Sequence, residues 1–156
     1  MKPLMTAALA ALLAGPALAA TPASPACALL TDEETAQLMK GTPMVIDGGP
    51  EASGTASCSW VEQSSGGMLG VQVMKPEAFG GTPQAYYDTM VAGVTGSGQK
   101  AEPIEGVGTK AILIADPTAA NLVLMGLVGD RLLNVTTMVL GRDATIEAAK
   151  RAAGRM

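Results

Sequence analysis

The sequence predicts an α+β domain in which helices pack on an antiparallel sheet. Three observations carry that prediction. Apolar residues alternate with small or polar ones along several short runs, the period of half-buried strands. Gly-rich turns separate those runs, and strands joined by short turns run antiparallel. Three other stretches open on capping residues and follow a helical period, so they must cover sheet faces.

The 156-residue chain begins Met1-Lys2-Pro3, continues with an Ala- and Leu-rich stretch from Leu4 to Leu13, then Gly15-Pro16 and Ala17-Leu18-Ala19-Ala20. One basic residue, a short apolar core, a helix breaker and small residues three apart make a cleavable signal peptide, residues 1–19, cut after Ala19 or Ala20. A bilayer span needs about 20 consecutive apolar residues. Gly15 and Pro16 interrupt this run before that length, so no membrane span is expected after cleavage. A lipid anchor on Cys27 would need a Leu-like residue and two small ones directly behind the apolar core. Ser24-Pro25-Ala26 stands there instead, which argues for a soluble periplasmic or secreted product.

Residues 20–26 are expected to form a Pro-rich spacer, and 27–156 a single α+β domain. Thr31-Asp32-Glu33-Glu34 fits a capping box, Thr31 bonding the Glu34 amide and the Glu34 carboxylate returning to Thr31. The helix it opens runs over about 32–40, with Gly41 closing it. Strands are expected at 44–46, 56–62 and 68–74, the last two forming a hairpin through Ser64-Ser65-Gly66-Gly67. Cys58 and Trp60 share one face of the second, with Ser57, Ser59 and Val61 on the other; Leu69, Val71 and Val73 alternate with Gly70 and Gln72 in the third.

Thr82-Pro83 starts a second helix through Tyr86, Tyr87, Met90 and Val91, ending at Gly93. Further strands follow at 101–105, 109–115, 121–128 and 131–140. Gly129-Asp130 joins the last two as a two-residue hairpin. Asp143 is expected to cap a final helix with Ile146, Ala149 and Ala153 on one side. The order of helix, three strands, helix, four strands, helix hints at a duplicated helix-plus-meander unit.

Composition narrows the function. The formal net charge is −4, and removing Lys2 with the signal makes it −5. Nucleic acid is excluded as a partner, because phosphate binding runs on clustered Lys and Arg, and the basic residues here are scattered apart from Lys150, Arg151 and Arg155. The chain has two cysteines and no His. In an oxidising compartment the pair is most simply one bridge, Cys27 to Cys58, worth roughly 3.5 kcal/mol in the chain-entropy model.

The remaining motifs point to structure. Ser97-Gly98-Gln99-Lys100 has the Ser-x-x-Lys spacing of penicillin-recognising enzymes, but it lacks their partner motifs and sits in a Gly-rich stretch. Without His, neither a Ser-His nor a Cys-His pair can form. Gly96-x-Gly98 and Gly106-x-Gly108 do not continue as phosphate loops. Asn134-Val135-Thr136 spells a glycosylation acceptor inside an expected strand. Eight methionines follow the signal, none with the close spacing of a copper site, and only four aromatics do; methionine is then a core filler. Asp32, Glu33 and Glu34 suit a helix start, and Glu102 and Glu105 suit a solvated surface. No catalytic residue, cofactor or metal is therefore assigned.

Cys27-Ala28-Leu29-Leu30-Thr31-Asp32-Glu33-Glu34, the helix ending at Gly41, Ser57-Cys58-Ser59-Trp60 and Gly106-Val107-Gly108-Thr109-Lys110-Ala111 resemble the exported family known as domain of unknown function 3558. Its members carry a Cys before a Leu-Leu-Thr helix start, a second Cys two residues before Trp, and a Gly-x-Gly-x-x-Ala strand entry. The resemblance implies a compact α+β domain pinned by Cys27 and Cys58 and transfers no catalytic residue.

The expectation for function is a non-enzymatic domain that binds an envelope protein or a small ligand through a groove on its sheet. The alternatives are an envelope enzyme using Ser, Lys or carboxylate chemistry, and a structural or assembly accessory of another exported protein. A pocket of converging polar groups with perturbed pKa values would favour the enzyme.

Overall fold

The computed structural model describes residues 23–115 and 120–156, so the signal segment lies outside the described residues. Seven strands form one antiparallel sheet: β1 (Met44–Asp47), β2 (Thr55–Glu62), β3 (Gly67–Met74), β4 (Lys100–Pro103), β5 (Lys110–Ala115), β6 (Asn121–Val128) and β7 (Arg131–Met138). Their order across the sheet is β1-β2-β3-β7-β6-β5-β4. Each meander is built from local hairpins, and the two are joined where β3 meets β7, with Val71 opposite Val135. The expected α+β class is thus observed. Three α-helices complete it among the described residues: α1 (Asp32–Met39), α2 (Pro83–Gly96) and α3 (Arg142–Ala153).

Strand alternation sorts the side chains into two layers. On one face Ala56, Cys58 and Trp60 meet Leu69, Val71 and Val73, then Leu133, Val135 and Leu124, all buried. This is the main core, closed by Met39 of α1, Ala148, Ala149 and Ala152 of α3, and a 3-10 turn at Pro25–Leu29. The Cys27–Cys58 disulfide, with Cα atoms 5.0 Å apart, fastens that turn to β2. On the opposite face α2 covers a smaller cluster in which Tyr87 packs with Ile112, Met125, Leu127 and Leu132. Phe79 stacks on Tyr86 beside it, ring centroids 4.9 Å apart. The helices leading into the two meanders therefore lie on opposite faces of the sheet.

Local signals explain most element ends, and several differ from expectation. The capping box is present: Thr31 Oγ1 accepts from the Glu34 amide at 3.2 Å, and Glu34 Oε2 accepts from the Thr31 amide at 2.8 Å. The left-handed residue after α1 is Lys40, at φ 55°, rather than Gly41. Gly41 is needed for room instead, since a Cβ there would lie 2.7 Å from Glu62 Cγ.

Helix α2 runs past Gly93 to Gly96. An exposed glycine costs a helix only about 1 kcal/mol, and Thr95 Oγ1 bonds back to the Val91 carbonyl at 2.7 Å. Asp143 is not a cap. The helix starts earlier, at Arg142 after Gly141, with Asp143 in its first turn, where its charge still suits the helix dipole. Strand β7 stops at Met138 because Val139 turns left-handed at φ 69°.

The Gly129-Asp130 hairpin forms as expected, Val128 pairing with Arg131 and Gly129 at φ 60°. The spacer expected over 20–26 is packed from Ser24 onward. Ser24 and Ala26 are buried, and the Ser24 amide donates to Asp47 Oδ1 at 2.9 Å.

Candidate functional site

Helix α2 reaches across β4 and β6 to β7 but leaves the β1-β2-β3 half of its face open. The register places side chains there in three rows. Met44, Val61, Met68 and Met138 form the first; Ile46, Ser59, Gly70 and Thr136 the second; Ser57, Gln72 and Asn134 the third. The same alternation that buries Cys58, Trp60, Val71 and Val135 on one face thus leaves small, polar and Met side chains on the other. The β2, β3 and β7 members of these rows are half-buried, while Met44 and Ile46 are about half exposed, at 52% and 50%.

Gly70 has no side chain to fill the middle row. Around it lies an open hollow of about 290 Å³ lined by Ser57, Ser59, Met68, Gln72, Asn134 and Thr136. Asn134, which lines the hollow, has its Oδ1 buried and without a hydrogen-bond partner among the described residues. A buried acceptor left without a donor costs about 1–3 kcal/mol, so this atom weakens the free fold. None of the side chains in the three rows is charged, on a chain with 24 charged side chains in all. At the edge strand β1, Val45 lies on the opposite face, in register with Trp60, and is also 44% exposed.

The residues singled out from sequence fall elsewhere. Cys27, Cys58 and Trp60 lie in the main core, Trp60 on the same face as Cys58. Thr31 and Glu34 hold the start of α1, and Gly129 and Asp130 turn the β6–β7 hairpin. Sequence reasoning set Ser57 and Ser59 apart from Trp60 but did not gather them with Asn134 and Thr136. The signal available was the Asn134-Val135-Thr136 triplet, whose polar members share one strand face.

The electrostatics describe a scaffold. Glu34 is lowered to about 2 by hydrogen bonds from Arg155 and then from the Thr31 amide. Glu62 is lowered to about 2 by Ser65 and Ser64, which close the β2–β3 turn around it. Arg142 holds Glu102 below the usual carboxylate range. Burial raises Tyr87, with Asp88 adding to the effect.

Ser97, in the Ser-x-x-Lys pattern, ends α2 and donates its hydroxyl to the Val94 carbonyl at 2.8 Å. Among the described residues no three His, Cys, Asp or Glu side chains are grouped to hold a metal ion. No helix among them is long and apolar enough to cross a membrane. Comparison with protein-family models, with curated proteins and with solved structures yields no match.

Proposed function

We propose that this chain is an exported, non-enzymatic binding module that takes a partner protein of the cell envelope on the open half of its sheet. The observation that carries this reading is the uncharged patch itself. Interface centres are depleted in charge and enriched in Met and aromatic side chains. Here Met44, Ile46, Met68 and Met138 stand beside neutral Ser, Gln, Asn and Thr, around an acceptor that lacks a donor. The partner that fits is an uncharged surface with an apolar centre and a donor facing Asn134.

Export belongs to the same proposal. It is supported by the residue pattern of 1–19 and by the disulfide, because such bridges persist in oxidising compartments. The likeness of the Cys27, Cys58 and Trp60 arrangement to domain of unknown function 3558 is part of this reading and names no ligand.

The test uses a photo-crosslinking residue placed at Gln72 in the exported protein, with Met90 on the exposed side of α2 as control. A discrete adduct is expected from Gln72, absent from Met90, and lost when Thr136→Lys puts a charge on the patch. Equal adducts from both positions, or an adduct indifferent to Thr136→Lys, would overturn the proposal. Intact mass of the exported protein is expected to begin at Ala20 or Thr21.

A further inference from the structure

A second site lies on the covered side of the sheet. The 3-10 turn at Pro25–Leu29 stands over the ends of β2, β3 and β7 and borders, with the end of α3, a half-open cavity of about 270 Å³. Its apolar wall comes from Ala26, Leu29, Ala56 and Val73. The turn cannot swing away, since Cys27 within it is bonded to Cys58.

Charge at the cavity runs against the charge of the chain. The chain carries a net −4, yet Lys75, Arg131 and Arg155 line the cavity with Glu51 as the one acidic side chain. Two of the three cations are already matched. Lys75 pairs with Glu51 at 2.8 Å, and Arg155 pairs with Glu34 at 2.7 Å. Arg131 meets Asp130 at 3.6 Å, and that aspartate is 80% exposed. Among the described residues Arg131 thus has the loosest and most exposed partner of the three, and it is the cation that can turn to a ligand beside the apolar wall.

We propose that this cavity binds a small amphiphilic carboxylate, with its apolar tail against Ala26, Leu29, Ala56 and Val73 and its head on Arg131. Pockets for small molecules are mainly apolar, with a few polar groups that fix orientation. A guanidinium presents a planar fork that matches a carboxylate. One loosely matched cation calls for a single negative charge. The volume lies just under the range of about 300–1,000 Å³ that holds drug-sized ligands, so the tail is short.

Hexanoate is the probe, titrated into the oxidised protein and followed by NMR, with hexanol and hexylammonium as controls. Saturable shifts are expected at Ala26, Leu29 and Val73. Hexanol is expected to bind at least about tenfold more weakly, the loss of one charge-assisted hydrogen bond. Arg131→Gln is expected to weaken hexanoate by a similar factor and Arg131→Lys to restore part of it.

Thr136→Lys, which blocks the open face, is expected to leave hexanoate binding unchanged, so this site and the partner surface succeed or fail separately. Hexanol binding as tightly as hexanoate would overturn the proposal. So would shifts confined to Ser59, Gly70 and Thr136, or no saturable shift at all. The hexanoate and hexanol comparison is made on the unaltered chain and does not depend on how any variant folds.

Discussion

Glu34 and Arg155, 121 positions apart, are joined by two parallel hydrogen bonds, Nη1 to Oε2 and Nη2 to Oε1, each 2.7 Å. Arg155 Nη1 also donates to the Leu29 carbonyl at 2.8 Å. One guanidinium therefore ties the start of α1, the 3-10 turn and the end of α3 together. Folded, Glu34 titrates at about 2 against an ordinary 4.5.

A depressed carboxylate stabilises the fold in full above its unfolded pKa, and the contribution is lost as pH falls toward the folded value. The relevant window runs from about 4.5 down to about 2. Arg155→Met is expected to lower stability at neutral pH by a small amount, as befits a solvent-screened pair. Thermal melts of both proteins across the acid range should converge, because Glu62 titrates alike in each. An offset that stays constant to the acid limit would show that the pair does not drive it.

Gly108 is expected to be intolerant of any side chain. It sits at φ 60°, and a Cβ there would collide with the Leu127 carbonyl oxygen, to which the Thr109 amide donates at 2.8 Å. Left-handed backbone costs a non-glycine residue about 1–2 kcal/mol, and the collision adds to it. Gly108→Ala should therefore lower stability by more than about 2 kcal/mol in urea unfolding. Gly66→Ala serves as control: φ is 69° with nothing within 4 Å of the added carbon, so it should show the backbone cost alone. Equal losses at the two sites would remove the close approach as a cause.

A buried hydroxyl pair fixes α3 to the sheet. Thr137 and Thr145 Oγ1 atoms are 2.6 Å apart, and Thr145 Oγ1 also bonds the Gly141 carbonyl at 2.8 Å. Replacing Thr145 strands the Thr137 hydroxyl, at about 1–3 kcal/mol, whereas replacing both with shape-matched apolar groups is nearly neutral. Thr145→Val is thus expected to destabilise more than the Thr137→Val, Thr145→Val double variant. Additive losses in the cycle would mean that the two hydroxyls act independently.

The bridge between Cys27 and Cys58 closes a separation of 31 residues. Denatured, non-reduced protein is expected to titrate no free thiol. Reduction should lower stability by roughly 3.5 kcal/mol by the chain-entropy account. Two titrated thiols would refute the pairing.

What was legible in the sequence is what neighbours in sequence decide. Thr31 and Glu34 are three residues apart, and Gly129 and Asp130 are adjacent; their caps and turns need no distant partner. Asp143 misled because a helix start depends on which residue leaves helical geometry, and Gly141 does so first. The open face of the sheet was half legible. Alternation put Ser57 and Ser59 opposite Trp60, but joining them to Asn134 and Thr136 requires β3 to pair with β7. That pairing, and the choice of which half α2 leaves open, are set by packing across the whole chain. The cavity beneath Pro25–Leu29 was hidden for the same reason, as its wall includes residues expected to be spacer.

Asn134 supplies the sharpest separation of stability from function. Its Oδ1 is buried on the open face without a donor, and a polar group kept in that state weakens the free protein. Asn is also disfavoured in strands, where Val is favoured. Asn134→Val is therefore expected to raise stability by about 1 kcal/mol, since it removes the unpaired acceptor and restores a strand former. If the acceptor is retained for a partner, the same change should abolish the Gln72 photo-adduct while thermal melting shifts upward. Hexanoate binding on the other side of the sheet should not move. A variant that is more stable and still forms the adduct would show that Asn134 makes no bond to the partner; one that is less stable would show that its oxygen is already satisfied by solvent.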